Sequence, residues 1–496
     1  MRRLPWRRIL VGVIVTGLFT PIIPAQKPTP SSADVERLIQ AARKAEQRQD
    51  YVAAAAAYEK LAALRPGDPL AHQSLGLAWY LQGSYAKAVN PLERAVKLDP
   101  RLLGSRLYLG ICYYRTNQFQ KAVDSLKVAE RAKPNEAITL YWLGASQLAL
   151  KNFVEATEKL ERASTLSPKD SEVLHTLARA YADYSGFLFE RLLQTAPQSA
   201  SARLLRAEDF WRENLAQPAL ELLSEAAEGQ PDLPGLHLAA GQILGQERKF
   251  EEAAEEFRRE LMVDPASLEA HRGLAAYYQS SSTPEKAAVH LERLARMRAQ
   301  DGSAESAASG RHPPVSRVPA GSTDLESASA HYAKGEIGPA IEGLKSRLKA
   351  DPGDIPARRL LVRCLLVREQ LDAVVSALQE FLEIRPGDPE ATFLLAKSYE
   401  ALSSRVVQKM VTLEPDSYRV RLLRGEAHEK SVRREYAEAL AEYLQALKLK
   451  PDTPGVSFAA GRILWKMNRF DEAAVHLERE LALNSHHGLA NYYLGN

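Results

Sequence analysis

Pro66, Pro100, Pro134 and Pro168 follow one another at steps of 34 residues. Pro197, Pro231 and Pro265 continue the series after one step of 29, and Pro352, Pro386, Pro415 and Pro451 make a second series with steps of 34, 29 and 36. A fixed period of this size constrains the fold more than any other feature. Each unit is one small supersecondary structure that can bury its apolar face only against its neighbours, so the chain stacks as a solenoid. At 496 residues one compact core is excluded in any case.

The pattern inside a unit is helix–turn–helix. In residues 103–136, "LGSRLYLGICYYRTNQFQKAVDSLKVAERAKPNE", Leu109 and Tyr113 share one helical face. Ala122, Leu126 and Ala129 form the facing stripe of a second helix, and "RTNQ" breaks the two. Pro134 ends the second helix, because proline lacks an N–H and turns its predecessor away from helical backbone. One place in the first helix is nearly always minimal, as at Gly76, Gly110, Gly144, Gly241, Gly425 and Gly461. Its partner in the second helix is nearly always alanine, as at Ala88, Ala122, Ala156, Ala253, Ala439 and Ala473. Glycine inside a helix costs about 1 kcal/mol against alanine. Close approach of the two backbones is the expected return.

"LGICYY" with "AVDSLKVAERAKP", and "LGASQL" with "ATEKLERASTLSP", resemble the tetratricopeptide (TPR) repeat family, whose unit pairs an L-G/A-x-x-Y first helix with an A-x-x-x-F/Y/L-x-x-A…P second helix. The resemblance implies an all-α, TPR-type helix–turn–helix solenoid wound as a right-handed superhelix. Residues 35–301 hold eight units, and residues 321–496 hold five units and a partial one. Residues 302–320, within "AQDGSAESAASGRHPPVSRVPAGST", read as a flexible linker between the two arrays. Units 171–199 and 389–417 are each five residues short, a loss that reads as falling in the second helix. The stretch after the first of them returns downstream: "PDLPGLHLAAGQIL" (231–244) is echoed by "PDTPGVSFAAGRIL" (451–464), and 16 of the 31 positions from Pro231 to Leu261 are identical. Residues 171–277 and 390–496 are therefore a duplicated block.

The N-terminus, "MRRLPWRRILVGVIVTGLFTPIIPAQ", has a basic head and an apolar run too short for a bilayer span of about 20 residues. It reads as a signal peptide, residues 1–25, cut before Gln26, with a spacer over 26–34. The protein is then exported, periplasmic or extracellular; a leader left uncut would anchor it to the membrane instead. Without Arg2, Arg3, Arg7 and Arg8 the net charge of +3 becomes −1, which gives nucleic acid no electrostatic footprint. Cys112 and Cys364 belong to no C-x-x-C pair and sit at equivalent inward places, as buried thiols would.

No nucleotide-binding, nucleophile-elbow or zincin motif is present, and His486–His487 is the one histidine pair, without a nearby carboxylate. The expectation is no enzyme activity, no metal and no cofactor. What remains is surface. The resemblance implies that first helices line the concave side, with outward places at the fifth, ninth and twelfth residues of a unit. These read Gln73, Leu77, Tyr80; Leu107, Ile111, Tyr114; and Tyr141, Ala145, Leu148. Leu77, Tyr80, Leu107, Ile111, Tyr114, Tyr141 and Leu148 form the candidate peptide-binding face, expected to be open to solvent. Later units give Arg359, Arg363, Leu366 and Phe393, Lys397, Glu400, a mixed and partly basic groove. The function expected is a non-catalytic scaffold of the envelope or secreted space that binds peptide or helical segments of other proteins. The alternative is the regulatory or recruiting portion of an enzyme whose catalytic part lies outside this chain.

Overall fold

The computed structural model describes residues 32–281, 283–307, 325–430, 435–453, 455–483 and 487–495. The leader, most of the spacer and linker residues 308–320 lie outside them. Helix α15 runs six residues into the span read as linker, ending at Ala307. The described residues form helices only, and Cα packing divides the chain into two compact units, Met1–Ala132 and Lys133–Asn496.

The first unit holds α1 (Ser32–Gln47), α2 (Tyr51–Leu64), α3 (Pro69–Leu81), α4 (Tyr85–Leu98), α5 (Leu103–Arg115) and α6 (Phe119–Ala132). The second begins with α7 (Ala137–Ala149), α8 (Phe153–Leu166), α9 (Ser171–Thr195), α10 (Ala200–Arg212), α11 (Ala216–Gly229), α12 (Leu236–Gln246), α13 (Phe250–Val263), α14 (Leu268–Ser280) and α15 (Pro284–Ala307). It continues with α16 (Leu325–Lys334), α17 (Ile337–Ala350), α18 (Ile355–Val367), α19 (Leu371–Ile384) and α20 (Pro389–Leu413). Then come α21 (Tyr418–Lys430), α22 (Tyr436–Leu449), α23 (Val456–Lys466), α24 (Phe470–Leu483) and α25 (Gly488–Gly495). Outside α9 and α20, first and second helices alternate as the period requires.

Local chemistry sets the boundaries. Asp50, Asp68, Asp170, Ser199, Ser267, Asp354 and Asp388 cap the helices that follow them, each side chain accepting a backbone N–H that has no partner inside the helix. The turn inside a unit carries one left-handed residue: Gly83, Gly335, Asn117, Asn214 and Asn468, but also Lys151, Arg248 and Glu369. The punctuating prolines leave a carbonyl that needs a donor. His72, Arg106, His271 and Arg358 reach back from the next first helix to Pro66, Pro100, Pro265 and Pro352 at 2.8–3.2 Å. Arg162 and Arg479 do the same from second helices, for Pro134 and Pro451.

The minimal place in the first helix does not mainly serve backbone-to-backbone contact, as its composition suggests. A Cβ on Gly76, Gly110 or Gly144 would lie 2.5–2.7 Å from Cγ of Leu92, Leu126 or Leu160. The side chain four residues past the small alanine is the knob that fills the space; backbone is also near at Gly144 and Gly461, an oxygen at 3.1 and 3.2 Å, and at Gly76, the Leu92 nitrogen at 3.3 Å.

The shortened units differ more. The five missing residues take in the three-residue turn and leave 25 helical residues where α7 and α8 together have 13 and 14, so each unit runs on as one helix, about 37 Å long. The two long helices, α9 and α20, pack on each other in antiparallel order. Ser403 Oγ donates to the Ala178 carbonyl (2.8 Å), Tyr184 and Tyr399 rings lie 4.6 Å apart, and Phe189 and Phe393 rings lie 6.1 Å apart. Tyr181 and Tyr399, each ten residues after the first residue of its helix, are counterparts and also meet, at 5.7 Å. The duplicated blocks thus pair about a local two-fold axis, as an isologous dimer interface does.

Candidate concave binding surfaces

In Met1–Ala132, Leu77, Tyr80 and Tyr114 are half-buried, whereas Leu107 and Ile111 are buried, Ile111 to 1% exposure. The expectation that all lie open fails for these two. Helix α5 touches α3 directly as well as α4 and α6. That seam between first helices encloses its fifth and ninth places. What stays accessible is aromatic. The Tyr80 ring stands edge-on to Tyr108 at 4.8 Å and to Tyr85 at 5.7 Å, Tyr114 meets Phe119 at 5.5 Å, and the Arg115 guanidinium lies over Tyr85. All five rings are half-buried. Burial, with Tyr85 and Tyr108 beside it, raises the Tyr80 pKa, so the hydroxyl stays neutral.

In Lys133–Asn496, Leu148 is also buried, against the expectation, because it packs into a core cluster with Phe153, Leu177 and Tyr181. Tyr141 is half-buried and engaged: its hydroxyl donates to Glu172 (3.3 Å), and Glu172 pairs with Arg419 of α21. His175 lies nearby in sequence on α9, and burial with the neighbouring Arg179 lowers its pKa to about 4.

The partly basic groove is not open either. Arg359 and Arg363 hold the buried Glu390 at 3.2 and 3.8 Å, and Arg363 also reaches the Asp232 carbonyl. Lys397 pairs with Glu208 of α10 at 2.6 Å. Concave places of α10 and α12 face concave places of α18 and α20. Extending the fifth-and-ninth rule to α10 and α12 finds Leu204, Glu208, Leu238 and Gln242, which the sequence reading left out.

Glu260 and Glu480, only 1% exposed, were hidden among surface-like charge runs. Their carboxylates accept backbone N–H groups of Gly235 and Leu238, and of Gly455 and Phe458. They cap α12 and α23 from the neighbouring helix. Gly235 and Gly455 have φ of 92° and 86°, a left-handed turn that starts each helix late and leaves it no side-chain cap of its own. The signal was the shared "P-G" and "REL" of the two matched stretches.

The remaining candidates are structural. Cys112 and Cys364 are free and buried, and burial pushes both thiols up to about 12. His487 caps α25 by accepting the Ala490 N–H, while His486 lies outside the described residues. Among the described residues no group of three or more His, Cys, Asp or Glu could hold a metal ion, and no helix is long and apolar enough to cross a membrane.

A tetratricopeptide-repeat profile matches residues 107–171 and 458–496, and the profile of anaphase-promoting complex (cyclosome) subunit 3 matches residues 47–129. The chain carries tetratricopeptide repeats in these stretches. No curated protein matches it. Among solved structures it is similar to MamA 41-end from Desulfovibrio magneticus RS-1 (20% identity, 30% of this chain and 83% of that one, TM-score 0.29). It is also similar to a chain of the APC/C hetero-tetramer Cut9–Hcn1 (17%, 93% and 89%, TM-score 0.25). The TPR2AB domain of yeast Sti1, solved with pHSP90, matches at 15% over 49% and 95%, with a TM-score of 0.27. TM-scores this low bear on neither site nor partner.

Proposed function

We propose that this chain is an exported, non-catalytic scaffold, and that the aromatic surface of α3, α5 and their turns receives a peptide or helical segment of a partner protein. Proteins of the tetratricopeptide-repeat family generally mediate protein–protein interaction. The observation that carries the reading is the set of half-buried rings at Tyr80, Tyr85, Tyr108, Tyr114 and Phe119. Aromatic side chains offer a large contact area at small entropy cost, and they dominate binding energy where they are anchors. Export rests on the basic head and apolar run of residues 1–25.

The test is capture of partners from the organism's extracellular and envelope fractions by the chain beginning at Gln26, followed by affinity measurement. Tyr80→Ser with Tyr114→Ser should weaken the captured interaction at least tenfold, about 1.4 kcal/mol. Partner affinity unchanged by the pair would remove this surface. Recovery of the native protein with Met1 or Arg2 at its N-terminus would remove cleavage after Ala25.

A further inference from the structure

Between the facing concave places of Lys133–Asn496 lies a cavity of about 290 Å³. Its walls are apolar and come from both arrays: Leu204 and Leu238 on one side, Leu366 and Phe393 on the other. Four carboxylates line it, those of Glu208, Glu260, Asp264 and Glu269, against a single ammonium, that of Lys397. Two of the four are occupied: Glu260 by the backbone of α12, and Asp264 by the Tyr332 hydroxyl and the Ala266 N–H. Glu208 holds Lys397 and Arg212, and Glu269 lies 3.9 Å from Arg272, half-exposed at the rim.

Lys397 shows how this place treats a cation. Its ammonium is 2.6 Å from Glu208 and lies 5.8 and 5.9 Å from the Phe393 and Phe189 ring centroids, a cation–π arrangement closed by a carboxylate. The remaining volume is at the lower end for ligand pockets, which run from about 300 Å³. It suits one long side chain with an aliphatic neighbour, not a cofactor. Apolar walls would take the methylene stem, and the acidic rim would take the charged head, as a lysine or arginine side chain divides.

The geometry points to a second peptide site, independent of the aromatic surface of α3 and α5, in which the cavity between α10, α12, α18 and α20 takes a lysine- or arginine-bearing segment of a partner protein. The occupant is set by charge complementarity with the rim and by the ammonium already held there.

The experiment is a positional-scanning library of decapeptides, each pool fixed at one residue, probed with the full chain and with two variants. Leu238→Trp fills the cavity; Glu269→Lys reverses charge at an exposed rim position whose ion pair with Arg272 is itself exposed. Pools fixed as lysine or arginine should be retained at least tenfold over pools fixed as glutamate, and each variant should abolish the preference. Tyr80→Ser should leave it intact, which separates this site from the aromatic one. A flat profile, or a basic preference that survives in the Glu269→Lys chain, overturns the proposal.

Discussion

Phe257 shows what the small residues of the repeat are for: its ring sits against both Gly241 and Gly273, and a Cβ on Gly241 would come within 2.6 Å of it. Ala156 belongs to the same geometry in its own unit. It is fully buried, and its carbonyl oxygen lies 3.1 Å from where a Cβ on Gly144 would be. Ala156→Leu should therefore destabilise the protein by about 1–3 kcal/mol, the ordinary cost of overpacking a close contact. Urea unfolding checks it, and an unchanged midpoint would mean the register of the repeat is misread. A second residue-scale expectation concerns pH. His271 is buried, donates Nε2–H to the Pro265 carbonyl, and faces His290, itself stacked on Tyr278 and near Arg258. Burial lowers its pKa to about 4, with His290 and Arg293 adding to the shift and the Pro265 bond opposing it. The unfolded imidazole titrates near 6.5. Between about 4 and 6.5 the unfolded chain binds the extra proton, so this contribution to stability is intact above 6.5 and lost as pH falls toward 4. The melting temperature of His271→Gln should depend less steeply on pH across that window than that of the parent protein.

At the scale of elements, Tyr399 is the residue on which the crossing of α9 and α20 turns. It is 1% exposed, meets both Tyr181 and Tyr184, and its hydroxyl accepts from Gln379 (3.1 Å). Tyr399→Ala should cost about 3–5 kcal/mol, as large aromatic truncations in a core do; a cost within 1 kcal/mol in chemical denaturation would show the crossing to be loosely packed. The helix pairs were legible because proline period and apolar spacing are both local properties. Turns were legible where glycine or asparagine marks them, as at Gly83 and Asn117, and not at Lys151, Arg248 or Glu369, whose left-handed backbone is imposed by the packed helices on either side. The two shortened units were found from length alone. That the loss took in the turn, so that two helices fuse, required a structure, since deletion of five residues leaves either outcome open. For the candidate site, spacing did not reveal the accessibility of the chosen places. Leu107, Ile111 and Leu148 are covered by neighbouring helices, and a spacing rule read along one helix does not report how closely the next helices pack on it.

At the scale of the molecule, the crossing makes the two duplicated blocks parts of one compact unit rather than independent beads, whatever course the linker takes. The contacts that bind them are varied in kind. Aromatic packing joins α9 to α20, Lys397–Glu208 joins α20 to α10, Arg419 joins α21 to Ser171 and Glu172, and Tyr332 donates to Asp264 across the two arrays. A covalent link adds little to an association already made by a packed apolar face, beyond the effective concentration it supplies. A protease site placed between Pro314 and Pro319 should therefore be cut without separating the pieces, which would co-elute on size exclusion at micromolar concentration. The same cleavage in a Lys397→Glu chain sets like charge against Glu208 and removes the ammonium from the Phe189 and Phe393 rings. Truncating or reversing one member of a desolvated charged pair commonly costs 2–5 kcal/mol. The cleaved variant should then dissociate at a concentration at least tenfold higher than the parent. Separation of the parent pieces on cleavage would mean that the linker, not the pairing of α9 with α20, holds the concave faces opposed.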